Sequence, residues 1–536
     1  MPSSLDKPSA SAHLEPTKSS GPSADDSSGI TSRGQWMALA AALLGWMFDG
    51  AEMGVFSMVG RQAIGNLMQV GDVMPSEAAI GRWFGIITAG FLVGAATGGV
   101  LFGWLGDRIG RVRAMTLSVL TYALFTGLCG FCNDVWQVAL LRFIAALGMG
   151  GEWSLGVALV MEVWPNRSRA FMAGLIGAAA NVGYLLVGFV GIGLTAVIAY
   201  LANMFLSMGL PEDWVGMLTQ GRGWRLMMIM GTAPALLTFF IRLFVPESEK
   251  WQAEEDKGNT SNWASTDLFG VLLGTMGPGL LVYLWGWENG TAVRIVGTLV
   301  GLAVAVVGYS YPLLRYLQRQ ASEVGGAPWR PVLGRMLLAA GLSGVALLGT
   351  WGSTQWGPTW ADKLADSQHN AKEYTQIWLA FGAVLGTIVA AMMGDWLGRR
   401  ITYCVLCVTS IASILWMFKP WTHVEYGPGF LFNAFLAGFC TASFYGWLPL
   451  YLPELFRTNV RASGQGFSFN FGRVLAAVGT LQIGAIQAKF ADGANWFGIA
   501  WTGGYPLACS SVIVIYLVGL VIIWFAPETR GQPLPD

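Results

Sequence analysis

Between Phe143 and Met161 the chain carries one formal charge, that of Glu152. A run this long and this apolar crosses a bilayer as a helix. About 20 residues at 1.5 Å rise span the hydrocarbon core, and no water is there to satisfy bare backbone. That run belongs to a span near 136–162, and others lie near 36–60, 79–103, 114–132, 169–201 and 224–245. A second group lies near 333–353, 374–394, 401–419, 428–452, 463–487 and 498–526, and 265–288 and 294–317 stand between the groups. The expectation is an all-α polytopic membrane protein with about fourteen transmembrane helices. Composition agrees: 12% of residues are charged and 54% hydrophobic, about half the charged share of an ordinary soluble domain. Net charge is zero, so nucleic acid has no electrostatic footprint here.

Short loops give an orientation. Arg108, Arg111 and Arg113 follow the second span, Arg167 and Arg169 the fourth, and Arg399 and Arg400 the eighth. Basic excess in short loops faces the cytoplasm, which places both termini inside. Residues 1–34 are rich in Ser, Pro and Asp and lack the apolar core of a signal peptide. They are expected to be a disordered cytoplasmic tail.

The chain also repeats itself. "GWLGDRIGR" (103–111) returns as "MMGDWLGRR" (392–400), and "EVWPNRSRA" (162–170) returns as "ELFRTNVRA" (454–462). "VPESE" (245–249) and "APETR" (526–530) close the two copies. The expected organisation is a six-helix half over 35–250, a central linker with two extra transmembrane helices over 251–331, a second half over 332–530 and a short tail over 531–536. Parallel halves around a midplane site are the architecture of alternating access.

"GWLGDRIGR" and its weaker second copy resemble the loop motif of the major facilitator superfamily. Within it, "RFIAALGMGGEW" (142–153), "MEVWPNRSRA" (161–170), "FVPESEKW" (244–251) and "FDGAEMG" (48–54) resemble the metabolite:proton and sialate:proton symporter groups. Two extra central helices also mark the bacterial sialic acid transporters among them. The resemblance implies a major facilitator fold and proton-coupled symport of a small organic anion, a sialic acid-like sugar acid or a monocarboxylate. A sugar carrier and a transporter-shaped nutrient sensor are the alternatives. It further implies a multi-pass protein of the plasma membrane (the inner membrane if bacterial), functional as a monomer, with the lipid bilayer and a small-molecule substrate as partners. The second loop departs from the pattern, with Trp396 where Arg108 stands in the first.

Charges inside the membrane need a reason, because each costs at least a few kcal/mol. Asp49 and Glu52 share one helical face in the first span. With Glu152 they are the candidates for proton coupling. Glu152 either exchanges a proton with the cavity or stays ionised beside an arginine. Ten residues along one helix put Arg142 about 15 Å away, too far for a direct bond. Arg142 and Arg473 are candidates to hold a substrate carboxylate, since guanidinium forks grip it bidentately; the alternative for both is charge balance, and Arg142 sits close enough to a span end to snorkel. Trp153 and Trp447 offer aromatic faces, and Asn181 and Gln355 offer polar positions in small-residue segments. In the loops, Asp107 at a turn flanked by Gly106 and Gly110 suggests a latch with Arg108 and Arg111, repeated by Asp395, Arg399 and Arg400. The plain alternative is a positive-inside anchor.

Enzymatic chemistry finds no support. Cys129–Cys132 and Cys404–Cys407 lie in apolar runs without metal-site partners, and His13, His369 and His423 are scattered. "GMGGEW" does not read as a nucleotide loop, and no Walker lysine motif appears. No catalytic residue, metal or cofactor is expected beyond a proton as coupling ion. The glycines beside Glu152 suit close helix contact.

Overall fold

The computed structural model describes residues 32–535 apart from 72, 288, 325–328, 368, 497 and 498, so the expected N-terminal tail and His13 lie almost wholly outside the described residues. The first half runs through α1 (Ser32–Met68), α2 (Glu77–Ile109), α3 (Arg111–Leu128), α4 (Val135–Val163), α5 (Arg169–Ser207), α6 (Glu212–Met230) and α7 (Ala235–Phe244). A short α8 (Glu249–Asp256) leads to α9 (Leu268–Gly286) and α10 (Thr291–Val324). The second half holds α11 (Trp329–Gly352), α12 (Gly357–Leu364), α13 (Ala371–Leu397), α14 (Arg399–Phe418), α15 (Pro428–Thr441), α16 (Phe444–Tyr451), α17 (Arg461–Lys489), α18 (Tyr505–Ser511) and α19 (Val514–Ile522).

Among the described residues, twelve helical stretches are long and apolar enough to cross a membrane. Two of the fourteen expected spans do not meet that measure, for different reasons. The run 224–245 is interrupted at "GTAP" (231–234), where turns and a proline without an N–H separate α6 from α7. The run 463–487 is one helix, α17, whose buried side carries Ser463, Gln465, Ser468, Asn470 and Arg473. Those polar groups face protein rather than lipid. Asn470 Nδ2 donates to Gly150 O at 3.1 Å, and Gln465 Nε2 donates to Ser154 O. The expectation of an all-α chain also needs one amendment. The start of the last expected span is a hairpin, with β1 (Ala494–Trp496) antiparallel to β2 (Ile499–Trp501), so the membrane helix begins only at Tyr505. Aromatic and β-branched residues there favour extended backbone, and Gly503 and Gly504 separate it from the helix.

Helices of the two halves meet along two seams, α2 on α17 and α5 on α13 and α16. Missing side chains make the approaches possible. A Cβ on Gly466 would run into the Gly99 carbonyl of α2, and one on Gly177 into the Tyr445 carbonyl of α16; within the first half, one on Gly150 would run into the Ala95 carbonyl of α2. The glycines of "GMGGEW" are helix contacts. Around them α9 and α10 pack on each other, and α9 leans on α2.

Candidate functional site

A cavity of about 1110 Å³ opens at one end of the bundle, with Arg61, Arg82, Lys363 and Lys372 outnumbering Glu77 and Asp362 on its wall. It narrows through a throat of about 60 Å³ at Ser57, Phe84, Trp356 and Lys372. Beyond, sharing Tyr184, Trp351 and Gln355 with the throat, lies a chamber of about 100 Å³. Its walls are aromatic (Trp46, Phe91, Tyr184, Trp351, Tyr445, Phe469), and its polar side chains are Asn181, Thr350, Gln355 and Arg473. Two of these already have partners: Asn181 Nδ2 donates to Gly177 O at 3.0 Å and Thr350 Oγ1 to Ala346 O at 2.9 Å. Arg473 does not. Its Nη1 is buried without a hydrogen-bond partner, and its guanidinium lies 5.3 Å from the Phe469 ring centre. A buried N–H left unmade costs about 1–3 kcal/mol, more when charged, so this group is suited to an anionic acceptor.

The two acids of α1, expected on one helical face, take different partners. Glu52 turns to α4 and takes an ion pair from Arg142 Nη1 at 2.7 Å. That guanidinium is also sandwiched near Phe56 (4.0 Å) and Phe91 (4.8 Å). Arg142 touches the throat but is buried and paired, so it neither snorkels nor offers a free fork. Asp49 faces Glu152, and among the described residues no donor reaches any of their four carboxylate oxygens. Arg473 acts on Asp49 through space. Glu152 is pressed against α1 where Gly45 leaves room, since a Cβ there would overlap its Oε1.

Neither tryptophan lies in the chamber wall. Trp153 is one layer behind, stacked on Phe469 at 3.7 Å. Trp447 is fully buried far along α16, where its Nε1 donates to Arg399 O at 3.1 Å. It belongs to the loop end, and its assignment to substrate is corrected.

At that loop end the halves are tied together. Asp107 accepts from Ser463 N at 2.8 Å and Ala462 N at 3.3 Å, capping α17 of the other half, and pairs with Arg111 at 2.9 Å. Glu162 sits between Arg461 (2.8 Å) and Arg111 (3.2 Å). Arg111 also reaches back to Gly106 O at 2.7 Å, and Gly110 turns the chain at φ 106°. Four expected members of the latch do otherwise. Arg108 donates to Ser265 Oγ at 2.8 Å, beside the seam rather than across it. Arg400 Nε donates to Ala526 O within its own half, and Asp395 stands largely in the open, 3.7 Å from Arg399. Arg399 itself is buried on Glu454 at 2.6 Å.

Several residues escaped sequence reasoning. Lys372 lines mouth and throat and donates to Ser57 O across the halves at 3.0 Å, and Gln376 Nε2 donates to Tyr184 O at 2.9 Å. Glu162 and Arg461 were visible as matched repeat positions. Gly45 left no signal.

Two helical halves sealed at one end, with a wide mouth leading to a buried cationic chamber, define a membrane carrier rather than an enzyme. The model of the sugar (and other) transporter family matches residues 37–267 and 347–534, and the chain belongs to that family of transporters. It is a multi-pass membrane protein of the major facilitator type. A Haemophilus influenzae protein named for metabolite transport is 24% identical over 502 residues, 93% of this chain and 98% of that one. The cis,cis-muconate transport protein of Acinetobacter baylyi is 22% identical, covering 90% of this chain and 94% of its own length. The sialic acid transporter of Escherichia coli is 21% identical, over 91% and 94%. Among solved structures, the proton:xylose symporter XylE matches with a TM-score of 0.65 at 16% identity, covering 94% of this chain and 98% of that one.

Proposed function

We propose that this transporter carries a small organic anion in symport with a proton. The observation that carries the reading is Arg473, a buried guanidinium with an unpartnered N–H in an aromatic chamber, next to two acids that no donor satisfies. A substrate carboxylate would engage Arg473 and lie flat among the rings. A proton shared by Asp49 and Glu152 would offset their charge, and its loss would draw Arg473 back to Asp49 and expel the anion. The mouth's basic excess draws anions inward, and Lys372 stands at the throat to hand them on.

The family description and the xylose symporter favour a sugar carrier instead. Gln355, Trp46 Nε1 and the Tyr184 and Tyr445 hydroxyls could serve a sugar ring, but Arg473 is the one charged group among the chamber's lining residues, and a neutral substrate would leave it unpaired. Planar or unsaturated carboxylates fit better than sugar acids, a substrate class named in one relative's cis,cis-muconate. A sensor would need a partner for the N-terminal tail, and its test is deletion of residues 1–33.

Topology completes the proposal. The arginine-bearing loops face the cytoplasm with both termini, the mouth faces outward, and the protein works as a monomer in the plasma membrane, which in a bacterium is the inner membrane. Helices 265–317 are an insertion between two six-span halves, with α6–α7 and α17 as the remaining crossings.

Uptake by proteoliposomes tests it. Anion entry should alkalinise the outer medium and collapse with the proton gradient. Glu152→Gln should abolish accumulation yet leave counterflow. Arg473→Gln should lose both for carboxylates, roughly a hundredfold for a buried charged hydrogen bond. Uptake indifferent to the gradient removes coupling; neutral sugars outcompeting carboxylates would install the sugar reading.

A further inference from the structure

A crevice of about 210 Å³ separates α10 from the second half at the loop end. It plays no part in the pathway. Its floor is apolar: Leu317 of α10, with Leu455 and Phe456 from the segment after α16, are 6%, 3% and 2% exposed. Two exposed arginines line it as well. Arg335, in the second turn of α11, gives one N–H to Leu455 O at 3.4 Å, and Arg457 lines the same crevice. Among the described residues neither forms an ion pair with a carboxylate, unlike Arg319 nearby, which is paired with Asp267.

The depth is also marked. Trp329 and Arg330 begin α11, the tryptophan 36% exposed and the guanidinium 5.6 Å from a Trp329 ring centre. Trp beside Arg at a helix end is the composition of a membrane–water boundary. Two unpaired guanidiniums over an apolar trough at that depth match one ligand chemistry, a phosphate monoanion attached to hydrocarbon. We propose that this crevice binds an anionic phospholipid of the leaflet at the loop end, its phosphate on Arg335 and Arg457 and the first methylenes against Leu317 and Phe456.

The assignment rests on the membrane topology given above but not on the substrate. Its consequence is regulatory, because the segment forming the floor also carries Glu454, which holds Arg399. An occupied crevice ties the inserted pair to that segment.

Native mass spectrometry of the full chain in neutral detergent, without substrate, tests this. Wild type should retain phosphatidylglycerol in preference to phosphatidylcholine, and the Arg335→Gln/Arg457→Gln variant should bind it about thirtyfold more weakly. Arg113→Gln and Arg167→Gln, which change exposed arginines elsewhere at the loop end, should leave it unchanged. Unaltered phosphatidylglycerol binding by the double variant overturns the site. So does equal loss in the loop controls, which would mean diffuse attraction, or displacement by equimolar glycerol 3-phosphate, which would mean a soluble phosphate. If the double variant unfolds at lower temperature than wild type, Arg457→Gln alone, at an exposed position, carries the test. Carboxylate binding by the same samples is read separately, so either proposal can fail alone.

Discussion

Asp107 and Asp395 stand at matching positions of the repeat, yet the first side chain is 0% exposed and the second 59%. The loops around them are built alike. Gly110 and Gly398 both turn at positive φ, 106° and 92°. Arg111 and Arg399 each reach back five residues, to Gly106 O and Gly394 O. Glu247 receives the N–H groups opening α3, and Glu528 those opening α14. The difference lies in what each aspartate meets: the α17 N-terminus for Asp107, solvent for Asp395. A helix N-terminus carries a partial positive charge and bare N–H groups, so a carboxylate placed there is held. The loop is therefore one device and the latch another. Repetition preserves the turn without preserving the contact between halves.

The largest effect should come from cutting the seam beside Asp107. Glu162→Gln leaves Arg111 and Arg461 buried without their shared charge, at a cost of about 3–5 kcal/mol. It should lower the unfolding temperature by several degrees and expose a cysteine placed at Gln465 to thiol reagents. Next, Asp107→Asn should weaken two charged hydrogen bonds and shift the balance of open and closed ends by about 2 kcal/mol, roughly thirtyfold. Asp395→Asn should stay within twofold in the same labelling assay. Equal responses would abolish the asymmetry. The turns should respond alike, Gly110→Ala and Gly398→Ala each losing about 1–2 kcal/mol for a strained positive φ. Gly110 should lose more, because its Cβ would overlap Glu247 whereas that of Gly398 stays 3.1 Å from Glu528.

The smallest effect concerns pH. Burial pushes Glu247 above its ordinary value, outweighing the N–H groups that reach it. Burial also acts on Glu528, but the N–H groups of Arg399, Arg400 and Arg530 overcome it and hold the carboxyl below the usual range. A lowered carboxyl stabilises the fold above its unfolded value and loses that as pH falls through the folded one. A raised carboxyl does so below its unfolded value and loses it as pH rises through the folded one. Glu528→Gln should thus cost a little stability at neutral pH, the deficit closing in acid. Glu247→Gln should gain a little at neutral pH, the gain closing as pH falls. Thermal melts across pH check both signs.

The course of the helices was legible because apolar length is a one-dimensional property. Even α17 was found by length, though its polar side left it short of the apolar measure. Azimuth was not legible. These helices are apolar nearly all round, so depth along the run said nothing about which wall Trp447 or Trp153 faces. The partner exchange, Glu52 to Arg142 and Asp49 to Glu152, depends on how α1 crosses α4. That crossing is set by gaps such as Gly45, which look like any other glycine in sequence. Lys372 was missed for a simpler reason. It lies two residues before the expected span at 374–394 and read as loop, whereas α13 begins at Ala371.

The open mouth described above also has an electrical meaning. Water wide enough to conduct ions carries almost no voltage drop, so in this state the membrane potential falls between the throat and the sealed end, at about 2.3 kcal/mol per charge per 100 mV. Asp49, Glu152 and Arg473 lie beyond the narrow throat, 1%, 2% and 5% exposed, so part of that drop reaches them. In the proposed symport, loading would therefore feel part of the voltage, and the step that breaks Asp107 away from α17 would feel the rest.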